Sequence, residues 1–350
     1  MKQNLFGMDV AALQAALAPL RLPNFRAKQI AQWMYEKGAT SFDAMTNLSK
    51  DLRAELAEHF EIFAAQPKDI LQSADGKTSK YLLEFADGTA VESVLMRQPY
   101  GNSICISTQA GCAMGCAFCA STLHGRARDL TAGEMLAEVI FIDQLLRKEG
   151  KKVDTMVLMG SGEPLMNYEN VLAFLHLVHD DAILGMSYRN ITLSTSGIVP
   201  NIYRLADEGI PVSLSISLHA PEDALRSELM PINRKYPMAD VIAAGKAYGD
   251  QTKRRVTYEY ILIDGVNDSE QQAAELAKLL RGQLASVNLI PINPVTERHL
   301  LRPSKERIDA FEAYLAAHHI TVTVRREMGT DINAACGQLR NRHLGDAKEK

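Results

Sequence analysis

Between residues 103 and 326 short β-branched runs alternate with helical periodicity, and this alternation constrains the fold more than any other feature. The runs are SICIST, VDTMVLM (153–159), ITLST, PVSLSIS, VTYEYILI (256–263), SVNLIPI (286–292) and TVTVRR (321–326). Helical patterns at about 131–148, about 168–180 and from 198 lie between the earlier ones. Strands that alternate with helices pair in parallel through right-handed crossovers. Short β-branched runs suit strands covered on both faces. Six or so units are too few for a closed eight-fold barrel. The predicted fold is therefore α/β, a partial (β/α)6-type barrel, with a doubly wound sheet as the alternative. Either places its chemistry at the C-terminal ends of the strands. Those ends carry small, polar and glycine-rich residues: MGSGEP (159–164), STSG (194–197), SLHA (217–220) and the Asn293 of INP.

The region before the alternation reads differently. Residues 1 to about 66 have apolar spacing near 3.6 in VAALQAALAPL, AKQIAQWMYEKG and KDLRAELAEHFEIF, with Ser49 as an expected N-cap and Gly38 as a helix stop. Trp33 is expected in that unit's core. KYLLEF and VESVLM then alternate around the Asp87-Gly88 turn signal. The expected organisation is a small helical N-terminal accessory domain (1–66), a β-hairpin extension (67–101), the partial barrel (102–330) and a C-terminal segment (331–350). A net charge of −4 gives no global case for nucleic-acid binding. The basic clusters Lys253-Arg254-Arg255, Arg234-Lys235, Arg298-His299, Arg325-Arg326 and Arg340/Arg342 permit an anionic substrate at one rim. No run of 18 apolar residues is present, and Asp9 and Gln14 interrupt the apolar residues at the start. A cytoplasmic protein is expected.

Five cysteines remain. Cys112, Cys116 and Cys119 form C-x-x-x-C-x-x-C in GCAMGCAFCAS, while Cys105 precedes them and Cys336 stands near the end. In a reducing compartment clustered thiols bind metal or do catalysis. Three thiolates fit an iron–sulfur cluster with one iron left open. Zinc with His124 as fourth ligand is the competing use.

With these motifs together, the chain resembles the RlmN-type radical S-adenosylmethionine (SAM) RNA methyltransferases of the RlmN/Cfr family. ESVLM, ISTQAGC, C-x-x-x-C-x-x-C, GEP, TLSTSG, SLHAP, NRKYP, GVND, LIPINP and GTDINAACGQLR carry the resemblance over nearly the whole chain. It departs from the family pattern at Ser161 and at Gly125-Arg126-Ala127-Arg128-Asp129. The resemblance implies a [4Fe-4S] cluster on Cys112, Cys116 and Cys119, with SAM on the open iron. Gly162, Glu163, Ser194, Ser217, Leu218, His219 and Asn293 match SAM-binding positions.

The implied activity is methylation of carbon-2 of an adenosine in 23S ribosomal RNA, at the peptidyl transferase centre, and of the adenosine 3′ of the anticodon in transfer RNA. Two SAM molecules are consumed per turnover. The thiolate matching Cys336 is methylated by one, and a 5′-deoxyadenosyl radical from the other activates that methyl group for addition to the base. Glu92 matches the proton acceptor, and the thiolate matching Cys105 resolves the enzyme–RNA adduct through a transient disulfide with Cys336. The resemblance further implies a flavodoxin-type electron donor, no membrane partner and a monomer. The related carbon-8 methyltransferases, a radical SAM enzyme with a non-RNA substrate and a non-catalytic zinc or RNA-binding module are the rival readings.

Overall fold

The computed structural model describes residues 2–293, 295, 298–335 and 338. The N-terminal part contains β1 (Gln3–Asn4), α1 (Val10–Leu17), α2 (Phe25–Ala31), α3 (Lys50–His59) and β2 (Phe60–Glu61), with β1 and β2 paired in parallel. Short helices are stable here because they are capped and bury apolar faces. Asp9 accepts from the Ala12 amide at the start of α1, and Ser49 accepts from the Leu52 amide at the start of α3, as its sequence position predicts. Trp33 is half-buried, with Lys37 over its ring at 4.0 Å.

Three antiparallel strands follow: β3 (Gln66–Gln72), β4 (Thr78–Glu84) and β5 (Ala90–Gln98). Next come β6 (Gly101–Cys105), the antiparallel pair β7 (Gln109–Gly111) and β8 (Arg126–Asp129), and α4 (Ala132–Lys148). The regular alternation then runs β9 (Thr155–Leu158), α5 (Tyr168–His179), β10 (Ile191–Thr195), α6 (Val199–Asp207), β11 (Ser213–Ser217), α7 (Asp223–Leu229), α8 (Met238–Thr252), β12 (Val256–Leu262), α9 (Glu270–Leu279), β13 (Ala285–Pro291), α10 (Lys305–Ala317) and β14 (Thr321–Val324).

One sheet has the order β14-β13-β12-β11-β10-β9-β6-β5-β4-β3. Its seven strands from β6 to β14 are all parallel, which gives six β/α units. Residues of β5, β6, β13 and the segment after β14 line one shared cavity, so the sheet curls toward itself around a lumen. The hairpin strands continue that sheet directly. Helix packing supplies the outer layer: α4 buries Met135, Leu136, Val139, Ile142 and Leu146 at helical spacing. Each fully buried aliphatic side chain of this kind contributes about 1.5–3 kcal/mol. A capping box between Thr131 and Glu134 fixes where α4 begins. No helix among the described residues is long and apolar enough to cross a membrane.

Candidate active site

MGSGEP, STSG, SLHA and Asn293 stand at the C-terminal ends of the parallel strands β9, β10, β11 and β13. The cysteine loop leaves β7 with Gly111 at φ +77, where a Cβ would stand 2.0 Å from the Gly125 carbonyl oxygen, so only glycine fits. The Cys112 amide then donates to the carbonyls of Ser121 and Gly125, both at 3.0 Å. Thr122 Oγ1 donates to the Cys116 and Cys119 carbonyls at 3.2 and 2.9 Å. Arg298 reaches in from the far side to the Cys119 carbonyl and Thr122 Oγ1.

Cys112, Cys116 and Cys119 all line one cavity of about 150 Å3, together with Gly162, Glu163, Ser194, Ser217 and His219. Burial pushes the Cys112 thiol up to about 12 and the Cys116 thiol well above its ordinary value, while the Arg226 charge opposes the shift at Cys116. Three thiols lining one cavity, two of them costly to ionise until a cation shares their charge, suit a thiolate-bound iron–sulfur cluster. His124 does not line this cavity, so the zinc alternative lacks its fourth ligand there.

The cavity walls are held by polar residues that bond to one another. Glu163 Oε1 accepts from Thr195 Oγ1 at 2.7 Å and the Leu165 amide at 3.0 Å, and its Oε2 accepts from the Ser196 amide at 2.6 Å. Burial nevertheless raises its pKa. Gly162 has φ +109, and a Cβ there would lie 2.7 Å from the Gln109 amide nitrogen. His219 Nδ1 accepts from the Ile261 amide at 3.0 Å, its ring meets Phe118 edge-on at 4.7 Å, and burial with Arg226 nearby lowers its pKa to about 3. It is a neutral histidine anchored to β12 that still lines the cavity. Leu218 is fully buried, lines neither cavity described here, and donates its amide to the Glu259 carbonyl.

A second cavity, about 560 Å3, lies alongside and is lined by Val94, Met96, Cys105, Asn288, Asn293, Ala334 and Ala335 among others. Met159, Ile290 and Arg325 line both cavities. Asn293 thus faces the larger space and not the thiol-lined one. Glu92 is buried and ion-paired with Lys80 at 2.7 Å, and it lines neither cavity. Cys336 lies outside the described residues, as do Arg340 and Arg342.

The basic clusters do not share one rim. Lys253-Arg254-Arg255 precedes β12, whereas Arg325-Arg326 follows β14, and parallel strands put these at opposite ends of the sheet. The atypical stretch after the cysteines forms β8. There Arg128 pairs with Asp87 and Glu134, and Arg126 with Asp129, so these charges are neutralised within the protein.

Two residues at the site escaped the sequence reading. Arg226 is fully buried and donates to the carbonyls of Ser196, Ser217 and Leu218 and to Asn233 Oδ1, tying the ends of β10 and β11 together. Glu259 lines the thiol cavity and accepts from Asn288, which lines the larger one, at 2.7 Å. Neither belongs to a local motif; the one available signal is a charged residue inside or beside an apolar run.

Comparison with known proteins agrees with this geometry. Residues 3–62 match the family model "Ribosomal RNA large subunit methyltransferase N-terminal domain", and residues 106–277 match "Radical SAM superfamily". A "Probable dual-specificity RNA methyltransferase RlmN" of Symbiobacterium thermophilum is 52% identical, covering 98% of this chain and 94% of that one. A relative of the same description from Bacillus licheniformis is 49% identical, covering 97% and 94%. The crystal structure of a radical SAM methyltransferase from Sphaerobacter thermophilus superposes with a TM-score of 0.94 at 47% identity, covering 97% of this chain and 99% of that one. The chain belongs to the RlmN family of radical SAM RNA methyltransferases, whose cofactors are a [4Fe-4S] cluster and SAM.

Proposed function

We propose that this enzyme methylates carbon-2 of one adenosine in 23S rRNA at the peptidyl transferase centre, and of the adenosine 3′ of the anticodon in tRNA. The reading rests on one observation above others: the thiol-lined cavity and the Cys105-lined cavity adjoin across Met159, Ile290 and Arg325. A cofactor held by Cys112, Cys116 and Cys119 would therefore act on a group held beside Cys105. Gly162, Ser194, Ser217 and His219 border the cofactor's side of that wall, and Asn293 the substrate's side. When bound, the cluster and SAM supply the methyl group and the one-electron chemistry.

The chain's own residues do the rest. Carbon-2 of adenine is electron-poor, so direct attack on an electrophilic methyl is unfavourable, whereas a thiolate is a competent methyl carrier. Cys336 takes that role. Ala334 and Ala335, just before it, line the same cavity as Cys105. Cys105 resolves the adduct by forming a disulfide with Cys336, and Glu92 accepts the proton from carbon-2. A cavity of about 560 Å3 suits a single unstacked nucleotide, so the target base enters flipped out of its surroundings. The helical N-terminal unit (1–66) holds the surrounding RNA backbone, and the enzyme works as a cytoplasmic monomer reduced by a flavodoxin-type donor.

Nuclease digestion and mass spectrometry of RNA treated with the reconstituted enzyme tests this. The expected products are 2-methyladenosine at one 23S position and at the position 3′ of the anticodon in tRNA. Methylation at carbon-8 alone, or of no RNA at all, overturns the reading.

A further inference from the structure

Lys80 is a lysine with only 7% of its surface exposed, and neither the cysteine chemistry nor the cofactor site uses it. Its place in the sheet is defined by register. On β4 it stands opposite Val94 of β5, and Val94 stands opposite Cys105 of β6. The three occupy one level of one face, because directly paired residues point the same way. Val94 and Cys105 line the larger cavity, whereas Lys80 stands one strand further out on the same sheet face and does not itself line it. Glu92, two residues before Val94 on β5, lies on the same face by alternation.

The ammonium group bonds to two acceptors on different elements. It is 2.7 Å from Glu92 Oε1, and it donates to the backbone carbonyl of Asn333 at 3.1 Å. Asn333 belongs to the segment that leads to Cys336 and turns there with φ 51 in the left-handed region. The segment is also tethered to the hairpin by the Ala74 amide, which donates to Asp331 Oδ2 at 2.8 Å. Immediately afterwards Ala334 packs against Val94 and Cys105. Lys80 thus sits where the carboxylate of β5 meets the chain approaching the terminal cysteine. An ion pair this buried adds little net stability over apolar packing of the same volume. What it does add is direction, since a buried ammonium must be satisfied by specific acceptors.

We propose that Lys80 is a positioning residue: it docks the Gly329–Ala335 segment, whose Ala334 and Ala335 line the larger cavity, against β4 and β5, and it fixes the Glu92 carboxylate beside that segment. The roles of Glu92 and Cys336 in this inference rest on the proposed function.

Hydrogen exchange of the full-length, cluster-reconstituted enzyme, without RNA or added SAM, tests the docking directly. In Lys80→Met the amides of 329–335 should exchange about tenfold or more faster than wild type, because a hydrogen bond from a charged donor is lost. Lys80→Arg, which keeps charge and donors, should restore most of that protection. In turnover assays Lys80→Met should lower kcat for RNA methylation about 10- to 100-fold, with KM for SAM changed by less than about twofold. Lys80→Arg should recover most of that loss. Wild-type protection of 329–335 in Lys80→Met would overturn the proposal. So would exchange that rises equally in β9 to β13, which would make Lys80 a general core residue. Local loss of protection with unchanged kcat would overturn the positioning role. The exchange readout needs no reaction, so it still decides docking if wild-type enzyme fails to yield 2-methyladenosine, a result that would count against the proposed function alone.

Discussion

Glu138 shows how a single carboxyl can tie the catalytic strands to the helix behind them. It is fully buried on α4, accepts from Ser93 Oγ of β5 at 2.5 Å and from the Ser107 amide at 3.0 Å, and burial raises its pKa to about 8. Ser107 Oγ in turn donates to the Glu92 carbonyl and accepts from the Ser161 amide, so the Glu138 network joins β5 to the turn after β9. The unfolded carboxyl titrates near 4.5, so between there and about 8 the folded state holds the extra proton. Stability from this group is therefore greatest below the unfolded value and falls as pH rises toward 8. Urea titrations at pH 5.5 and 8.5 should show wild type losing more stability than Glu138→Gln, by on the order of a few kcal/mol. Parallel pH profiles for the two proteins would refute the assignment. Residues of this kind could not be read from sequence. The cysteines declare themselves because their ligand spacing is local, whereas Glu138, Lys80, Arg226 and Glu259 acquire meaning only from partners on other strands.

Among elements, the turn after β9 determines the shape of the cofactor cavity. Its MGSGEP sequence is legible as a polar strand end, and the structure shows why glycine is required at Gly162. That residue adopts φ +109 with the Gln109 backbone against the place a side chain would fill. Gln109 Oε1 accepts from the Glu163 amide at 2.9 Å, which locks the turn to β7. Gly162→Ala should cost about 1–3 kcal/mol of stability through the strained backbone. It should also weaken SAM binding about tenfold by displacing the cavity wall. Denaturant unfolding and calorimetric titration measure both, and wild-type values in each would refute the role of the turn. Most strands of the alternating region were legible because apolar β-branched runs stand out between helices: ITLST occupies β10 without offset, and VTYEYILI covers β12. β1, β2 and β8 were not, since two to four residues paired with distant or polar partners leave no periodic pattern.

At the scale of the molecule, the six β/α units and the hairpin surround two adjoining cavities. The N-terminal unit is tied to α4 where Gln144 donates to the Tyr35 and Glu36 carbonyls at 3.1 and 3.0 Å. Alternation in the sequence was enough to indicate an open barrel, because each unit's period is set locally. It could not show that the lumen is two spaces divided at Met159, Ile290 and Arg325, since that wall is assembled from three strands far apart in the chain. The division is central to the account: Cys112, Cys116 and Cys119 on one side, Cys105, the proposed resolving thiol, on the other. The most direct test is Cys105→Ala, reconstituted and incubated anaerobically with SAM, reductant and RNA, then separated under denaturing conditions. The account predicts protein carrying covalently attached RNA through Cys336, with little methylated RNA released. Free methylated RNA at the wild-type rate with no adduct would contradict it.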